Sequence, residues 1–525
     1  MLAPDEFIAG RWASEMIAAL PRRVCDPVRA WAERTPDAPA LFEAGACWSY
    51  AELAEAVAAT RARLLEWGVR PGDRIMVVNE NSRALACLFL AASELDVWVA
   101  IINARLADDE IDTIAAHCEP VREFYTVAVS SDAARHAERR GAETVADPWL
   151  GEVAVTPHRE AEARPVHESG AEQVAALIYT SGTTGVPKGV MLSHRGLSYV
   201  AAVSGALRDI KPGARLYGVL PASHVYGLAS VLLGSLHNGA CLHMVPRFDP
   251  AETYRALAKD GITVLQGVPA MYARLLEYME TQGLSLHAPH LSYMSVGGAP
   301  LDLGLKQRVE AATGLTLHNG YGLTESSPTI SQTRIEAPRS DCSVGKILPG
   351  LEARVVTVDG DDAQPGEIGE LWVRGPSIML GYFKNPEATA ATVDPEGWLN
   401  TGDLATLDDG GYLTIAGRSK ELIIRSGFNV YPPDVEAVLN QHPEVTLSAV
   451  VGRTVPGNEE VVAYIQPVPG SKVTVEDIRQ FAKERLAGYK RPSHIILMES
   501  LPATATGKIL KGKLKQAAQL LPDST

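Results

Sequence analysis

The chain has 525 residues, of which 46% are hydrophobic and 21% charged. This composition is typical of a globular protein with more length than one core requires. The formal net charge of −15 gives no electrostatic reason to expect nucleic acid or an anionic membrane as partner. The six cysteines lack metal-ligand spacing, which favours a reducing compartment and buried thiols.

Targeting and membrane signals are weak in this sequence. A basic region followed by an apolar run is missing near the N-terminus, so we expect no secretory signal. The longest apolar segment, residues 84–92, is too short to cross a bilayer and should be a buried helix. We expect a cytoplasmic protein without a transmembrane segment.

Helical and strand patterns alternate up to about residue 330, which predicts βα units around largely parallel sheets. A helix is predicted over 50–69 and a strand over 73–79. Similar helix and strand pairs recur at 250–261 with 262–268 and at 303–314 with 315–322. From about residue 350, the pattern changes to shorter β-like segments at 351–358, 369–375 and 411–417.

The last hundred residues read as a small α+β unit. Helices are predicted over 432–442 and 474–486, and strands over 446–452 and 461–468, followed by a basic tail. The change in pattern places a domain boundary near Arg418 to Lys420.

The string YTSGTTGVPKGV, residues 179–190, combines glycines, hydroxyl side chains and one lysine after an apolar strand. Small residues let backbone N–H groups approach phosphate oxygens closely. The string is not a Walker P-loop, because Gly189 follows Lys188 and a second strand comes before the next helix, whose N-cap should be Ser193. From composition alone, a flexible hairpin is the alternative.

The same string resembles the signature of the adenylate-forming superfamily, which includes acyl-CoA synthetases and 4-coumarate:CoA ligases. Further family motifs follow in the expected order over nearly the whole chain: PASHVYG (221–227), GGAP (297–300), NGYGLTE (319–325), TGD (401–403), GRSKELI (417–423) and TGKI (506–509). The resemblance implies an α/β fold. A large N-terminal domain of α/β subdomains with a small β-rich subdomain would span 1–417, a hinge 418–420, and a small mobile α+β domain 421–525.

The resemblance assigns ATP and Mg²⁺ to specific residues. The phosphates would meet Thr180, Ser181, Gly182, Thr183, Thr184 and Lys188. Adenine would lie among Gly298, Ala299, Pro300, Asn319, Gly320 and Tyr321, with Tyr321 as a stacking surface. Asp403 and Arg418 would bind the ribose. Thr324 would contact phosphate, and Glu325 would hold Mg²⁺.

Several of these residues have ordinary structural alternatives when taken alone. Glu325 could be a helix N-terminal residue, and Asp403 could make an Asx-type turn bond. Lys508 could be one more solvated lysine of the basic tail, as we assume for Lys511, Lys513 and Lys515. By resemblance, Lys508 instead bridges the attacking carboxylate and the α-phosphate. The small domain would swing about Lys420 and present Gly427 to a pantetheine tunnel.

The acid pocket is indicated by His224, which alone could be a core histidine but by resemblance lies beside the substrate carboxylate. Val225 replaces the aspartate of amino-acid-activating members, so we expect a simple organic acid. Tyr226 and Ser230 match 4-coumarate:CoA ligases, with Gly297 and Gly320 leaving room for a ring or chain. Other segments resemble fatty acyl-CoA ligases. No lysine or arginine obviously reaches into the pocket for a second carboxylate, which disfavours dicarboxylates.

The expected reaction is that of an acyl-CoA synthetase, with a small carboxylic acid, ATP and coenzyme A as substrates, in a monomer or homodimer. Coenzyme A is the expected acceptor, because the 17 residues after Lys508 contain no carrier domain. The alternatives are a stand-alone adenylation enzyme that loads a carrier protein, a luciferase-like oxygenase, and a nucleotide-binding regulator without chemistry. The presence of Lys188, Glu325, Asp403 and Lys508 together argues against the regulator.

Overall fold

The structure is a computed structural model that describes residues 3–180, 187–503 and 509–521. Its strands are β1 Phe7–Ile8, β2 Arg11–Trp12, β3 Pro39–Glu43, β4 Ala46–Ser49, β5 Arg74–Asn79, β6 Trp98–Asn103, β7 Arg122–Tyr125, β8 Glu143–Asp147, β9 Gly151–Val155, β10 Val174–Thr180, β11 Lys188–Ser193, β12 Arg215–Gly218, β13 Cys241–Met244, β14 Val264–Gly267, β15 Tyr293–Val296, β16 Leu317–Gly322, β17 Thr329–Gln332, β18 Gly345–Ile347, β19 Glu352–Val356, β20 Gly369–Arg374, β21 Gly381–Tyr382, β22 Leu399–Leu407, β23 Tyr412–Arg418, β24 Ile423–Arg425, β25 Phe428–Val430, β26 Val445–Val455, β27 Asn458–Pro467 and β28 His494–Leu497.

The α-helices are α1 Ala13–Ala18, α2 Asp26–Arg34, α3 Tyr50–Glu66, α4 Arg83–Glu94, α5 Asp108–Cys118, α6 Ser131–Arg139, α7 His194–Tyr199, α8 Gly205–Leu207, α9 Gly234–His237, α10 Pro250–Lys259, α11 Pro269–Thr281, α12 Leu303–Thr313, α13 Pro386–Ala390, α14 Pro432–Leu439, α15 Val475–Arg485 and α16 Lys511–Gln519. Two π-helical segments, π1 Val200–Ser204 and π2 Tyr226–Leu233, continue α7 and precede α9. Short 3₁₀ turns cover Thr324–Ser326, Ser419–Glu421 and Gly488–Lys490.

Two large sheets organise the chain before residue 419. One has the order β21-β11-β10-β6-β5-β7-β9-β8, and the other runs β19-β20-β22-β23-β18-β17-β16-β15-β14-β12-β13-β3-β4. Parallel pairing joins β10, β6, β5 and β7 in the first sheet, and β16, β15, β14, β12, β13 and β3 in the second. The α/β fold with parallel sheets is therefore confirmed, and the segments after residue 350 form the antiparallel edge of the second sheet.

The largest hydrophobic cluster lies between the two sheets. It takes Ile75 and Val77 from β5, Val264 and Tyr293 from the second sheet, and most of α4. Residues 84–92 are fully inside α4 and buried, as predicted. A helix that is apolar on all sides is stable only when other elements cover it, and the two sheets provide that cover.

Side-chain alternation fixes which face of the second sheet holds which residues. Leu265 and Met294 pack against the outer helices α10 to α12. Successive strand residues point to opposite faces, so Gln266 and Ser295, which are paired neighbours on β14 and β15, lie on the inner face. That inner face looks toward π1 and π2.

The chain from residue 423 onward builds its own cores. Its central sheet has the order β26-β27-β28, with a separate β24–β25 hairpin, and two hydrophobic clusters contain only residues from this part. The small α+β C-terminal domain is thus confirmed, while its bounds at 418–420 stay a prediction.

The sequence also predicts buried thiols and no transmembrane segment. The prediction of buried thiols is wrong for Cys47, which is exposed because it lies on the edge strand β4, and Cys342 is only half-buried. Among the residues that the structure describes, no helix has the length and apolar character needed to span a membrane.

Candidate active site

The glycine-rich loop joins two antiparallel strands, so it has no helix directly behind it. Thr180 at the end of β10 pairs with Lys188 at the start of β11. The next helix begins only after Ser193, whose hydroxyl accepts a hydrogen bond from Gly196 N at 3.0 Å. Ser181, Gly182, Thr183 and Thr184 lie outside the described residues. The described ends therefore agree with a strand–loop–strand signature rather than a Walker motif.

Tyr382 links two of the predicted site residues and was missed by the sequence analysis. Lys188 Nζ lies 4.7 Å from the centroid of its ring, and its hydroxyl donates to Glu325 Oε1 at 2.8 Å. Tyr382 reaches this position because β21 adds to the edge of β11, pairing Tyr382 with Val190. Burial, and then the Glu325 carboxylate, raise the pKa of Tyr382, so it remains a hydrogen-bond donor. Tyr382 thus contacts the Lys188 cation through its ring and the Glu325 carboxylate through its hydroxyl.

Thr324 and Glu325 form a 3₁₀ turn directly after β16. Thr324 is buried, and the Glu325 carbonyl oxygen accepts from Met379 N at 2.8 Å. Across the described ranges, no cluster of three or more acidic, histidine or cysteine side chains could hold a metal alone. A single carboxylate fits Mg²⁺, which often takes one or two protein carboxylates and completes its shell with phosphate oxygens and water.

Asp403 is a buried carboxylate with two strong neighbours. Arg418 lies opposite it on the adjacent strand β23, with Nε 2.9 Å from Asp403 Oδ1. The Tyr321 hydroxyl donates to Asp403 Oδ2, and burial followed by the Asp403 charge raises the pKa of Tyr321. An Asx-type bond in this turn is made by Asn400, whose Oδ1 accepts from Gly402 N at 2.8 Å. Asp403 is thus held by side chains from two other strands.

The predicted adenine residues follow the carboxyl ends of two neighbouring parallel strands. Gly298, Ala299 and Pro300 follow β15 closely, and Gly298 has φ +78°, a conformation that favours glycine. Asn319 and Gly320 belong to the adjacent β16, where Asn319 Nδ2 donates to Cys342 O at 2.9 Å. Ligands in α/β sheets commonly bind at such strand ends.

The predicted acid pocket lies at the start of π2. His224 is exposed, and its Nδ1 accepts from Tyr226 N at 3.2 Å, so it is not a core histidine. A Cβ at Gly297 would lie 3.4 Å from the Tyr226 ring and 3.2 Å from Gly320 O. Ser230 Oγ lies 3.5 Å from Thr329 Oγ1. Tyr226 and Gly320 therefore border the space beside Gly297, and a side chain at position 297 would narrow that space.

The C-terminal candidates are only partly covered, since Lys508 lies outside the described residues. Lys420 is exposed in the 3₁₀ turn after β23, and Gly427 has φ +82° at the exposed tip of the β24–β25 hairpin. The assumption of a solvated tail is wrong for Lys511, whose Nζ lies 3.2 Å from Glu421 Oε2 and 2.8 Å from Glu436 Oε1. Lys511 therefore ties α16 to the residue next to Lys420.

Comparison with known proteins identifies the class that this fold and site define. The model of the AMP-binding enzyme family matches residues 28–383, and that of the AMP-binding enzyme C-terminal domain matches residues 434–508. The chain belongs to this family. The resemblance to the adenylate-forming superfamily is thereby confirmed.

Individual relatives are similar over most of the chain. A feruloyl-CoA synthase of an Amycolatopsis species is 33% identical over 496 residues, covering 93% of this chain and 98% of the relative. A long-chain-fatty-acid–CoA ligase of Bacillus subtilis is 38% identical over 347 residues, covering 65% of this chain and 61% of the relative. The crystal structure of an ATP-bound RpMatB–BxBclM chimera matches with a TM-score of 0.84 and 30% identity, covering 95% of this chain and 99% of the chimera.

Proposed function

We propose that this protein is an ATP-dependent, AMP-forming acid–CoA ligase. It converts a carboxylic acid and ATP into an acyl adenylate and pyrophosphate, and then transfers the acyl group to coenzyme A with release of AMP. The observation that carries the proposal is the presence of two side-chain groups in one chain. Lys188, Tyr382 and Glu325 form the first group. Asp403, Arg418 and Tyr321 form the second. The CoA-ligase relatives support coenzyme A as acceptor.

The first half-reaction joins two anions, and the site supplies the charges that this requires. The carboxylate oxygen attacks the α-phosphorus of ATP, and pyrophosphate leaves. Lys188 and the hydroxyl groups of the loop would bind the β and γ phosphates. Glu325 would hold Mg²⁺, which when bound supplies positive charge to the phosphate oxygens. Asp403 would accept hydrogen bonds from the ribose hydroxyls.

The second half-reaction requires the C-terminal domain to move. Lys508 would contact the carboxylate and α-phosphate during adenylation and would then withdraw through rotation at Lys420. The thiol of coenzyme A attacks the acyl carbonyl carbon, and AMP leaves with its phosphate. The β24–β25 hairpin, with Gly427 at its tip, would then line the path of the pantetheine chain.

The acid is proposed to be of the aryl, hydroxycinnamate type or a medium- to long-chain fatty acid. Val225 is buried where a carboxylate would be needed to hold a substrate ammonium group, so amino acids are disfavoured. Tyr226 supplies a ring, and Gly297 and Gly320 supply space. A feruloyl-CoA synthase and a long-chain-fatty-acid–CoA ligase among the relatives support both chemical types.

The test is acid-dependent exchange of labelled pyrophosphate into ATP over benzoates, cinnamates and fatty acids, followed by detection of the CoA thioester and AMP. The proposal predicts exchange with at least one acid and equal amounts of thioester and AMP once coenzyme A is added. Exchange without CoA consumption would favour an adenylation enzyme that loads a carrier protein. Absence of exchange with every acid would contradict both.

A further inference from the structure

Arg208 is a buried cation for which the described residues provide no counterion. The residue is 3% exposed, and its Nε and Nη1 have no hydrogen-bond partner within the described ranges. Among the described residues, two other arginines are 3% exposed or less, and both have an acidic neighbour. Arg334 Nη2 lies 2.7 Å from Glu6 Oε1, and Arg74 Nη2 lies 3.8 Å from Glu119 Oε2. Burying an unpaired charge costs free energy, which a bound anion would offset.

The position of Arg208 connects it with the acid pocket. It ends the helical stretch of α7, π1 and α8, and its Cζ lies 6.0 Å from the centroid of the Tyr226 ring. Tyr226 in turn borders the space kept open by Gly297. His224, two residues before Tyr226, is exposed. Arg208 is therefore a buried neighbour of Tyr226, one of the residues of the predicted acid pocket.

The inner face of the second sheet borders the same region. Tyr293 stacks on His318 with centroids 4.9 Å apart. Burial raises the pKa of Tyr293 to about 12, whereas the charge of Arg208 and side-chain hydrogen bonds with Ser295 and Arg208 lower it. Gln266 Oε1 has no hydrogen-bond partner among the described residues. Of these groups, the guanidinium and the Ser295 hydroxyl are hydrogen-bond donors, whereas the Gln266 amide oxygen only accepts.

We propose that Arg208 binds a second carboxylate, at the end of the acid substrate opposite the carboxylate that is activated. The inference rests on the proposed ligase function and narrows its substrate class to aryl or alkyl acids with an acidic far end. A guanidinium binds carboxylates with charge-assisted hydrogen bonds, whereas a neutral hydroxyl or methyl end would leave the buried charge uncompensated. This inference reverses the sequence-based expectation that no arginine reaches the pocket, because Arg208 lies between the recognised motifs.

A purely structural role for Arg208 makes a different prediction. If stacking on Tyr226 were its function, Arg208→Met would lower the melting temperature of the ligand-free protein. If Arg208 instead pairs with a substrate anion, its charge is uncompensated in the ligand-free protein. Removing that charge should then leave the melting temperature unchanged or raise it. Arg208→Lys, which keeps the charge, and Arg215→Met, at an exposed site on β12, serve as matched controls.

The substrate test uses acids that differ only at the far end. Pyrophosphate exchange is measured for cinnamate, 4-hydroxycinnamate and 4-carboxycinnamate, and for alkyl acids from hexanoate to dodecanoate with their ω-hydroxy and ω-carboxy analogues. In the wild-type protein, kcat/KM should be highest for a dicarboxylate. Arg208→Met should lower it by about thirtyfold or more for that acid, as expected when one partner of a buried charge pair is lost. Its kcat/KM for the methyl-ended analogue should not fall.

The outcomes separate this inference from the ligase proposal. Exchange that favours a hydroxyl or methyl end in the wild type would overturn the role of Arg208 while leaving the ligase function intact. An equal loss for all acids in Arg208→Met, or a lower melting temperature with unchanged preference, would also overturn it. Absence of exchange with every acid would overturn both. The inference would be supported if Arg208→Met had a higher kcat/KM for the methyl-ended acid than for the dicarboxylate, while Arg215→Met kept the preference of the wild type.

Discussion

Removing the Tyr382 hydroxyl tests whether this residue positions the Glu325 carboxylate, which is proposed to hold Mg²⁺. Tyr382→Phe keeps the ring beneath Lys188 but removes the 2.8 Å hydrogen bond to Glu325 Oε1. A hydrogen bond to a charged group contributes about 1.5–3 kcal/mol, and the half-buried position of Glu325 favours the lower value. The Mg²⁺ concentration needed for half-maximal activity should therefore rise about tenfold.

Two measurements distinguish this effect from general damage. Pyrophosphate exchange is followed against Mg²⁺ at saturating ATP, and ATP binding is measured by calorimetry with and without Mg²⁺. Tyr382→Phe should weaken binding only when Mg²⁺ is present, because the Lys188 contact with the ring remains. Tyr412→Phe is the matched control, since Tyr412 also carries a cation, Lys346 Nζ, 4.9 Å from its ring centroid. Equal weakening with and without Mg²⁺ would refute the positioning role.

Two further changes test other parts of the site, and a third tests a buried histidine outside it. Lys508→Ala should abolish adenylate formation and spare thioester formation from a supplied acyl adenylate; equal loss of both half-reactions would contradict the moving domain. Gly297→Ala should raise KM for bulky acids and leave KM for ATP unchanged, because its Cβ would enter the space beside Tyr226. Burial lowers the pKa of His194 to about 3. The unfolded chain therefore binds the extra proton first, and stability is lost as pH falls from about 6.5 toward 3. Chemical denaturation measures the free energy of unfolding at pH 6.5 and at pH 4. Between these pH values, His194→Gln should lose on the order of 2–3 kcal/mol less of this free energy than the wild type. The control His287→Gln, at an exposed site, should lose as much as the wild type.

Sequence patterns predicted the parts of the fold that depend on local periodicity. The helix predicted at 50–69 and the strand predicted at 73–79 appear as α3 and β5. The pattern was readable because α3 buries one regular face, whereas β5 is buried throughout. The strand–loop–strand form of the glycine-rich segment followed from Gly189 and the N-cap Ser193. These features are determined within about twenty neighbouring residues.

Residues whose roles depend on distant pairing could not be predicted in this way. Tyr382 meets Glu325, 57 residues away, only because β21 adds to the edge of β11. Arg208 lies between two recognisable motifs, and its importance comes from its burial without an acidic partner among the described residues. Lys511 looks like a tail lysine until α16 packs beside Glu421 and Glu436. Chain separation hides all three from local patterns.

The central claim is that one site joins a carboxylate to the α-phosphorus of ATP before a thiol replaces AMP. The most direct measurement supplies an acid labelled with ¹⁸O in its carboxylate and follows the label in AMP after thioester formation. Attack by the carboxylate oxygen predicts one labelled oxygen in each AMP released. AMP without label, formed alongside thioester, would contradict the acyl adenylate and the account built on it.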